Sequence, residues 1–313
     1  IGVENGKTTI KPEQCVRAFE TIFKISYEII GEPKISIIIP NKDHIEDLDK
    51  CIISIEKKST YKNVEYIIVE NNSEEERTFE YYKKMEAGNP KVRVVKWEKE
   101  FNYSAINNFG VTFAHGDYYL FLNNDTEIIN ENCLEEMMGY CQRKEVGAVG
   151  ARLFYEDGTI QHAEVIVGLQ GVAGHVSTGL PHDTPGYFGR AIIAHDCSAV
   201  TAACMLVKKE AFEKVNGFDT DLAVAFNDID FCLKVRKAGY LIVYNPYAEL
   251  YHYESKSRGM EDNEKKVKRF MGEIKRFHEK WFDILYNGDP YYNPNLTLLE
   301  NNFNLRHPCN KRG

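Results

Sequence analysis

The chain alternates short apolar runs with segments of helical period, and this order constrains its fold more than any other feature. The run KISIIIP at 34–40 is rich in β-branched residues, as expected of a strand covered on both faces. Further strands are predicted at 64–70, 92–95 and 118–122, with helices between them. This βαβ order predicts an α/β fold with a parallel sheet between helices, which binds ligands at the carboxyl ends of its strands.

Three of the predicted strands end in polar residues: Asn41 and Lys42, then Glu70 and Asn72, then Asn123, Asn124 and Asp125. One such end is ordinary turn chemistry, because Asn and Asp tolerate turn geometry. Three at one edge of a sheet line a cleft that suits the base, ribose and metal-bound diphosphate of a nucleotide. No GxxxxGK[ST] or GxGxxG loop follows the first strand, so a divalent ion held by Asp125 is predicted to hold the phosphates.

Composition narrows the classes of function. The net charge of −8 argues against a nucleic-acid backbone as partner, and no apolar run approaches the ~20 residues of a membrane span. Eight cysteines without a CxxC pair favour free thiols in a reducing cytoplasm over a disulfide frame or a zinc site. The chain begins at Ile1 and shows no signal peptide, so we expect a piece of a longer polypeptide in the cytoplasm.

An ordered set of fragments resembles the family 2 glycosyltransferases, inverting enzymes that use nucleotide-sugars. The resemblance implies the GT-A fold, a Rossmann-like α/β fold with a mixed, mostly parallel sheet flanked by helices. The fragments, which span about 34–259, are SIIIPNKD, IIVENNS, FNYSAINNFG, YLFLNNDTE, VNGFDTDLAVAFNDIDFCLKVRKAGY and YHYESKSRG. The resemblance implies transfer from a UDP- or dTDP-sugar, with Mn²⁺ or Mg²⁺, to a hydroxyl of a glycan, glycoprotein or lipid-linked acceptor. It also implies a place in bacterial surface polysaccharide or glycan assembly.

The resemblance assigns roles on the donor side. Asn123, Asn124 and Asp125 fall on the DxD-type motif of the family, with Asp125 as the metal-binding carboxylate, although the first acid is an amide here. Glu70 matches an acid that reads the base. The other residues matched to the nucleotide site are Pro40, Asn41, Lys42, Asn72 and Asn108. For Asn108, a helix-side amide is the alternative.

The resemblance also assigns the chemistry. Asp228 matches the general base that takes the proton of the acceptor hydroxyl, while the alternative is that it caps the helix predicted to begin there. His252 matches a histidine that completes the metal shell, against the alternative of a satisfied core or surface histidine. Arg258 and Lys256 are expected to close over the departing diphosphate, or else to lie in a solvated loop.

The acceptor side is the least predictable part of the chain. The stretch 169–195 is rich in Gly, His and Pro and shows little period of either kind. In similar enzymes the acceptor is met on this side of the cleft, so His162 and Thr201 are the acceptor-side candidates.

The ends of the chain are predicted to be extensions of a central domain. We expect an N-terminal helical extension at 1–33, with a helix around Val16 to Ile30. A glycosyltransferase domain follows at 34–259, with a nucleotide-binding half at 34–127 and an acceptor and catalytic half at 128–259. The segment 260–313 is predicted to be an amphipathic helix and a loosely packed tail; the basic helix face is solvated or contacts the inner face of a membrane.

Two alternatives from other classes stay open at this point. A nucleotidyltransferase shares the nucleotide cleft at the sheet end, but it typically carries a Gly-rich loop after the first strand, which is not found here. The second alternative is a catalytically silent carbohydrate-binding or scaffold module, in which Asn123 reflects lost metal binding.

Overall fold

The computed structural model describes residues 2–4, 7–9, 15–19, 22–254 and 264–307. The strands in these ranges are β1 (Gly2–Glu4), β2 (Lys7–Thr9), β3 (Cys15–Phe19), β4 (Ile22–Ile25), β5 (Ile35–Asn41), β6 (Val64–Glu70), β7 (Val92–Lys96), β8 (Tyr118–Leu122), β9 (Thr126–Ile128), β10 (Val146–Phe154), β11 (Ile160–His162), β12 (Val165–Val167), β13 (Ala173–His175), β14 (His195–Cys197), β15 (Cys204–Lys208) and β16 (Leu241–His252). The helices are α1 (Ile45–Lys58), α2 (Glu76–Gly88), α3 (Tyr103–Val111), α4 (Cys133–Cys141), α5 (Lys209–Lys214), α6 (Asn227–Lys237), α7 (Glu264–Lys280) and α8 (Phe282–Asn287).

One large mixed sheet organises the molecule. Its strand order is β14-β16-β10-β15-β8-β5-β6-β7, with β11 beside β10 and β9 beside β16. The four strands β8, β5, β6 and β7 are mutually parallel, whereas β15 runs antiparallel between β8 and β10. The predicted mixed sheet flanked by helices is therefore confirmed, and its parallel half comes from the first part of the chain.

The register brings the polar strand ends together. Asn41 of β5 pairs with Glu70 of β6, and Ile38 of β5 pairs with Phe121 of β8, so the three strands end at one edge. The Asn124 side chain donates to Asn41 Oδ1 over 2.6 Å, which joins two of these ends directly. The expectation that separate strand ends share one edge of the sheet is confirmed.

Successive residues of β5 pack into two different cores. Ile37 and Ile39 lie in a cluster with side chains of α1, α2 and α4, while Ile38 lies in a second cluster with side chains of α3, α5 and α6. This alternation is the period of a strand covered on both faces, and it explains the continuous β-branched run in the sequence.

The C-terminal segment is part of the packed structure and does not form a loose tail. Phe277 of α7 is fully buried in the second core, where its burial stabilises the fold by about 1.5–3 kcal/mol. Further on, Asp289 accepts hydrogen bonds from Ser198 Oγ at 2.6 Å and from Val167 N at 2.8 Å. The predicted C-terminal helix is present as α7 and α8, but the segment after it packs against the region around β12.

The predicted N-terminal helix around Val16 to Ile30 is wrong. Strands β3 and β4 pair as an antiparallel hairpin with Cys15 opposite Ile25, and residues 26–30 have no regular structure. The stretch 15–25 contains Val, Thr, two Phe and two Ile, which fit a pleated strand better than a helix. Weak helical spacing of apolar residues is therefore overridden by local strand pairing.

In the ranges that the structure describes, no helix has the length and apolar character needed to cross a membrane.

Asp219 anchors α7 to the loop before α6. It accepts hydrogen bonds from Lys280 Nζ at 2.8 Å and from Arg276 Nη2 at 3.1 Å. Burial alone would raise the pKa of Asp219, but the hydrogen bonds from Lys280, Asp221 N and Arg276 outweigh it and lower the pKa from its ordinary value of 3.8 to about 2. The ionised carboxylate thus stabilises the folded state.

We expect Asp219→Asn to destabilise the protein at neutral pH but not in strong acid. Because the folded-state pKa is the lower one, the stabilisation is present above pH 3.8 and is lost as pH falls from there toward 2. Urea unfolding of wild type and Asp219→Asn from pH 6 to pH 2 measures this, with the exposed Asp183→Asn as control. A difference between wild type and Asp219→Asn that does not shrink with acid would contradict the assignment.

Candidate active site

A cleft of about 650 Å³ opens at the carboxyl edge of β5 and β8. Its walls include the predicted residues Pro40, Asn123, Asn124, Asp125, Thr201, Asp228 and His252. Residues from both predicted halves of the domain therefore share one cleft. This is the arrangement that a donor and an acceptor need in order to meet.

Asp125 and His252 lie next to each other in the cleft. Asp125 follows β8 and His252 ends β16, and the β16–β9 ladder holds these segments side by side. His252 Nε2 lies 3.3 Å from Asp125 Oδ1 and 3.1 Å from Asn123 Nδ2. Both Asp125 and His252 are buried, so their polar atoms have little access to bulk water.

These residues fit a divalent cation that binds together with a ligand. Asp125 Oδ1 is buried, and no described group donates a hydrogen bond to it, which leaves a hard oxygen ligand available. The carboxylate oxygen suits Mn²⁺ or Mg²⁺, and the ring nitrogen beside it, a ligand typical of transition metals, favours Mn²⁺ over Mg²⁺. Among the described residues, no group of three or more His, Cys, Asp or Glu side chains is arranged around one point, so the remaining ligands must come from elsewhere, such as a diphosphate.

The side-chain amides of Asn41 and Asn124 belong to one chain of hydrogen bonds. Asn124 donates to Asn41 Oδ1, and Asn41 Nδ2 donates to Tyr82 Oη at 2.8 Å and to the Asp43 carbonyl at 2.7 Å. Asn41 and Asn124 are thus occupied with each other and with the fold. Pro40, next to them, lines the cleft.

The other residues predicted to contact the nucleotide make local contacts and are not part of the cleft lining. Glu70 is buried and accepts from Ser73 N at 2.6 Å. Asn72, which has a left-handed φ of 55°, donates to the Lys99 carbonyl at 2.9 Å. Lys42 is exposed and pairs with Glu74 at 2.9 Å. Contact of Glu70, Asn72 and Lys42 with a nucleotide therefore stays a prediction.

Asn108 bonds a neighbouring segment of the fold, and its contact with a nucleotide stays a prediction. Its Oδ1 accepts from Phe218 N and its Nδ2 donates to the Phe218 carbonyl, both at 2.9 Å. A Cβ on Gly217 would come within 2.5 Å of Asn108 Oδ1, which shows how closely the two segments pack. Both ends of the amide are used by the fold, and Asn108 does not line the cleft.

Asp228 lies at the second position of α6, with its carboxylate toward the cleft wall. Oδ1 accepts from Ile229 N at 2.9 Å and Oδ2 accepts from Ala202 N at 3.2 Å. Phe226, whose φ is 60°, is the residue that precedes the helix, so Asp228 is not its N-cap. These contacts fix the direction of the carboxylate and leave it in the lining of the cleft.

Helix α7 supports the loop that carries Asp228. The buried carboxylate of Glu273 accepts from Val224 N at 2.8 Å and from Ala225 N at 3.3 Å, and both residues line the cleft. Asp230, fully buried in α6, accepts from Trp281 Nε1 at 2.8 Å. The C-terminal segment therefore holds the start of α6 from two sides.

On the acceptor side, the predicted residues differ in access to the cleft. Thr201 lines the cleft, whereas His162 is buried behind its wall. His162 Nδ1 lies 2.8 Å from Nδ1 of His175, which does line the cleft. Burial lowers the pKa of His162 well below its usual value, with a smaller contribution from His175, so His162 is neutral.

Several cleft residues escaped sequence reasoning. Phe101 and Tyr103 lie at the start of α3, inside the motif FNYSAINNFG, and His175 and Glu254 lie in the second half of the chain. Gln161 is buried and contacts His252. Gln161 is next to the predicted residue His162, and Glu254 is two residues from the predicted residue His252. This proximity is the only indication of them that the sequence offers. Arg258 and Lys256 lie outside the described residues.

The sequence is similar to one family model and to two longer proteins. The sequence model of the family described as "Glycosyl transferase family 2" matches residues 36–215, more than half of the chain. An uncharacterized protein, y4gI, of Sinorhizobium fredii is 45% identical over 287 residues, which are 91% of this chain and 32% of that protein. The O-antigen biosynthesis protein RfbC of Myxococcus xanthus is 36% identical over 290 residues, 91% of this chain and 22% of that protein. The chain thus spans about a third or less of these relatives.

A solved structure supports the fold. The structure described as GalNAc-T7 with UDP, GalNAc and Mn²⁺ aligns with a TM-score of 0.63 at 14% sequence identity. The alignment covers 83% of this chain and 50% of that one. At this level of identity the likeness shows the fold alone, which is the GT-A fold expected from the sequence.

We expect Glu273→Gln to destabilise the loop before α6. A carboxylate accepts from two backbone N–H groups, whereas an amide accepts at one atom only and presents a donor at the other, at a cost of about 1–3 kcal/mol. Urea unfolding gives the free energy, and amide hydrogen exchange at Val224 and Ala225 localises the effect. Glu279→Gln, on the exposed face of the same helix, is the control. Equal stability of the two variants would contradict the role of Glu273.

Proposed function

The chain belongs to glycosyl transferase family 2, and from this premise we propose that it moves a sugar from a nucleoside-diphosphate sugar to a hydroxyl group with inversion at the anomeric carbon. The observation that carries the proposal is the shared cleft: the Asp125–His252 pair lies on one side and Asp228 on the other. Displacement of a nucleoside diphosphate requires a site that binds the diphosphate and a carboxylate that acts as general base.

We place the donor along the carboxyl edge of the parallel strands. The diphosphate lies at Asp125 and His252, and the nucleoside extends toward Pro40 and Glu70 at the ends of β5 and β6. A carboxylate at Glu70 is suited to accept the imide N–H of uracil or thymine, which favours a UDP- or dTDP-sugar. Asp125 and His252 would hold a divalent cation, which would supply positive charge against the leaving diphosphate.

Asp228 acts as the general base in this proposal. Its carboxylate accepts the proton of the acceptor hydroxyl as the new C1–O bond forms, and the bond from C1 to the phosphate oxygen breaks at the opposite face. The hydrogen bonds from Ile229 N and Ala202 N hold the carboxylate in place without covering the cleft. One carboxylate suffices, because the diphosphate leaves as a stable anion and needs no general acid, unlike the leaving oxygen in glycoside hydrolysis.

The acceptor is proposed from chemistry and from a relative. Part of the cleft lining has a mixed polar and aromatic surface, which suits a saccharide. It is formed by Thr201, His175, Phe101 and Tyr103. The relative RfbC is described as an O-antigen biosynthesis protein, which supports a glycan, glycoprotein or lipid-linked saccharide in surface polysaccharide assembly. A cytoplasmic location, contact with a membrane face and the domain limits 34–259 stay predictions.

We expect a pyrimidine nucleoside diphosphate to bind in a metal-dependent way. Calorimetric titration with UDP, dTDP and GDP, each with Mn²⁺ and with EDTA, should give tightest binding for UDP or dTDP with Mn²⁺. Asp125→Ala should remove the effect of Mn²⁺ and leave the binding in EDTA unchanged. Unchanged affinity of Asp125→Ala with Mn²⁺ would refute the metal role, and no binding by any nucleotide would favour a silent module of the same fold.

We expect Asp228→Asn to lower transfer at least ~100-fold, since general-base catalysis contributes about 10²–10⁴-fold. Release of nucleoside diphosphate from the UDP- or dTDP-sugar selected by the titrations measures the rate. Nucleotide affinity should stay at the wild-type value, because an asparagine keeps the size of the side chain and one acceptor oxygen. More than about a tenth of wild-type activity in Asp228→Asn would remove Asp228 as the base.

A further inference from the structure

Gln161, on β11, contacts the end of β16 through its whole side-chain amide. Its Oε1 lies 2.6 Å from His252 Nδ1. Its Nε2 lies 3.3 Å from the His252 carbonyl oxygen and 3.1 Å from Glu254 Oε2. Gln161 is only 7% exposed, so these protein partners, and not bulk water, satisfy its amide.

The partners of Gln161 fix the direction of its amide. A backbone carbonyl and a carboxylate oxygen only accept hydrogen bonds, so the NH₂ group of Gln161 must face them. Its oxygen therefore faces His252 Nδ1. Since that oxygen also only accepts, Nδ1 must carry the proton, and in the neutral imidazole the lone pair is then on Nε2.

The lone pair on Nε2 lies where a cation would need it. His252 Nε2 is 3.3 Å from Asp125 Oδ1, whose buried oxygen receives no hydrogen bond from any described group. His252 Nε2 accepts from Asn123 Nδ2 at 3.1 Å, which agrees with an unprotonated Nε2, and a cation that takes this lone pair would replace that hydrogen bond. Two acceptor atoms facing each other in a buried site repel unless a cation or a proton lies between them.

We propose that Gln161 is a positioning residue, which holds His252 in the tautomer and orientation needed to bind a divalent cation together with Asp125. This inference rests on the metal site of the proposed function and adds a residue to it. A ligating histidine generally donates its second ring N–H to a fixed acceptor, and loss of that acceptor typically costs about 10–100-fold in metal affinity.

The chemistry of Gln161 suits this position better than that of a carboxylate. A glutamate would accept from His252 Nδ1, but its second oxygen would face Glu254 Oε2 and the His252 carbonyl, and all three only accept. The amide accepts on one side and donates on the other. It thus satisfies the histidine ring, the backbone and Glu254, which itself lines the cleft.

The test compares three substitutions of Gln161 with a matched control. Gln161→Leu keeps the approximate size and removes every hydrogen bond, Gln161→Asn withdraws the amide by one methylene, and Gln161→Glu keeps an acceptor toward Nδ1. Gln142→Leu is the control, because Gln142 also bonds backbone groups on both sides of its amide, at Ile30 N and the Glu28 carbonyl, but lies away from the cleft.

Binding of Mn²⁺ is measured by electron paramagnetic resonance in the presence of UDP or dTDP, whichever binds more tightly to the wild type. We expect Gln161→Leu to raise the Kd for Mn²⁺ about 10-fold or more, Gln161→Glu to lose less, and Gln142→Leu to match the wild type. Nucleotide binding in EDTA should be equal in all variants. If Gln161→Leu does not fold, Gln161→Asn is judged by the same criterion.

The outcomes separate this inference from the proposed function. Wild-type affinity for Mn²⁺ in folded Gln161→Leu overturns the positioning role and leaves the Asp125–His252 site standing. If the wild type shows no Mn²⁺ binding with either nucleotide, the metal site and the role of Gln161 both fall.

Discussion

Burial of the parallel strands on both faces is the constraint on which the rest of the structure depends. Because Ile37 and Ile38 point into separate cores, the middle of β5 is covered on both faces and has no room for a functional group. The polar side chains of this part of the cleft therefore lie at the carboxyl ends, where the backbone ladders fix their places. The pairing of Asn41 with Glu70, and the hydrogen bond from Asn124 to Asn41, make this edge a rigid platform for the first half of the cleft.

The second half of the cleft relies on long-range contacts. The loop before α6 contains Phe226 at a left-handed φ of 60°, a conformation that costs free energy for a bulky residue. Ring contacts with Phe270 and Phe277, and the hydrogen bonds from Val224 and Ala225 to Glu273, hold this loop in place. Helix α7 lies beyond the part of the chain matched by the family model, yet it determines where Asp228 stands.

Sequence reasoning succeeded where a local pattern determines local structure. The predicted strand at 64–70 has the bounds that the structure shows, because a short continuous apolar run bounded by polar residues is typical of a buried strand. The prediction of a helix at β3 and β4 is wrong, because their few apolar residues fit a helical period as well as a strand period. Gln161 and Glu273 were out of reach for a different reason: their partners lie 91 and 49 residues away, and no local pattern encodes such a contact. Asp228 and His252 were found through resemblance, not through period.

Asn123 determines how charge is balanced at the proposed metal site. A carboxylate in its place would put a second negative charge beside the buried Asp125, and the two would repel in the absence of a cation. The neutral amide avoids this cost and donates to His252 Nε2 instead. With one carboxylate, the protein attracts a cation less strongly by itself, so more of the binding energy must come from the diphosphate. Cation and nucleotide are therefore expected to bind as a pair. The orientation of His252 is then the main further contribution of the fold to cation binding.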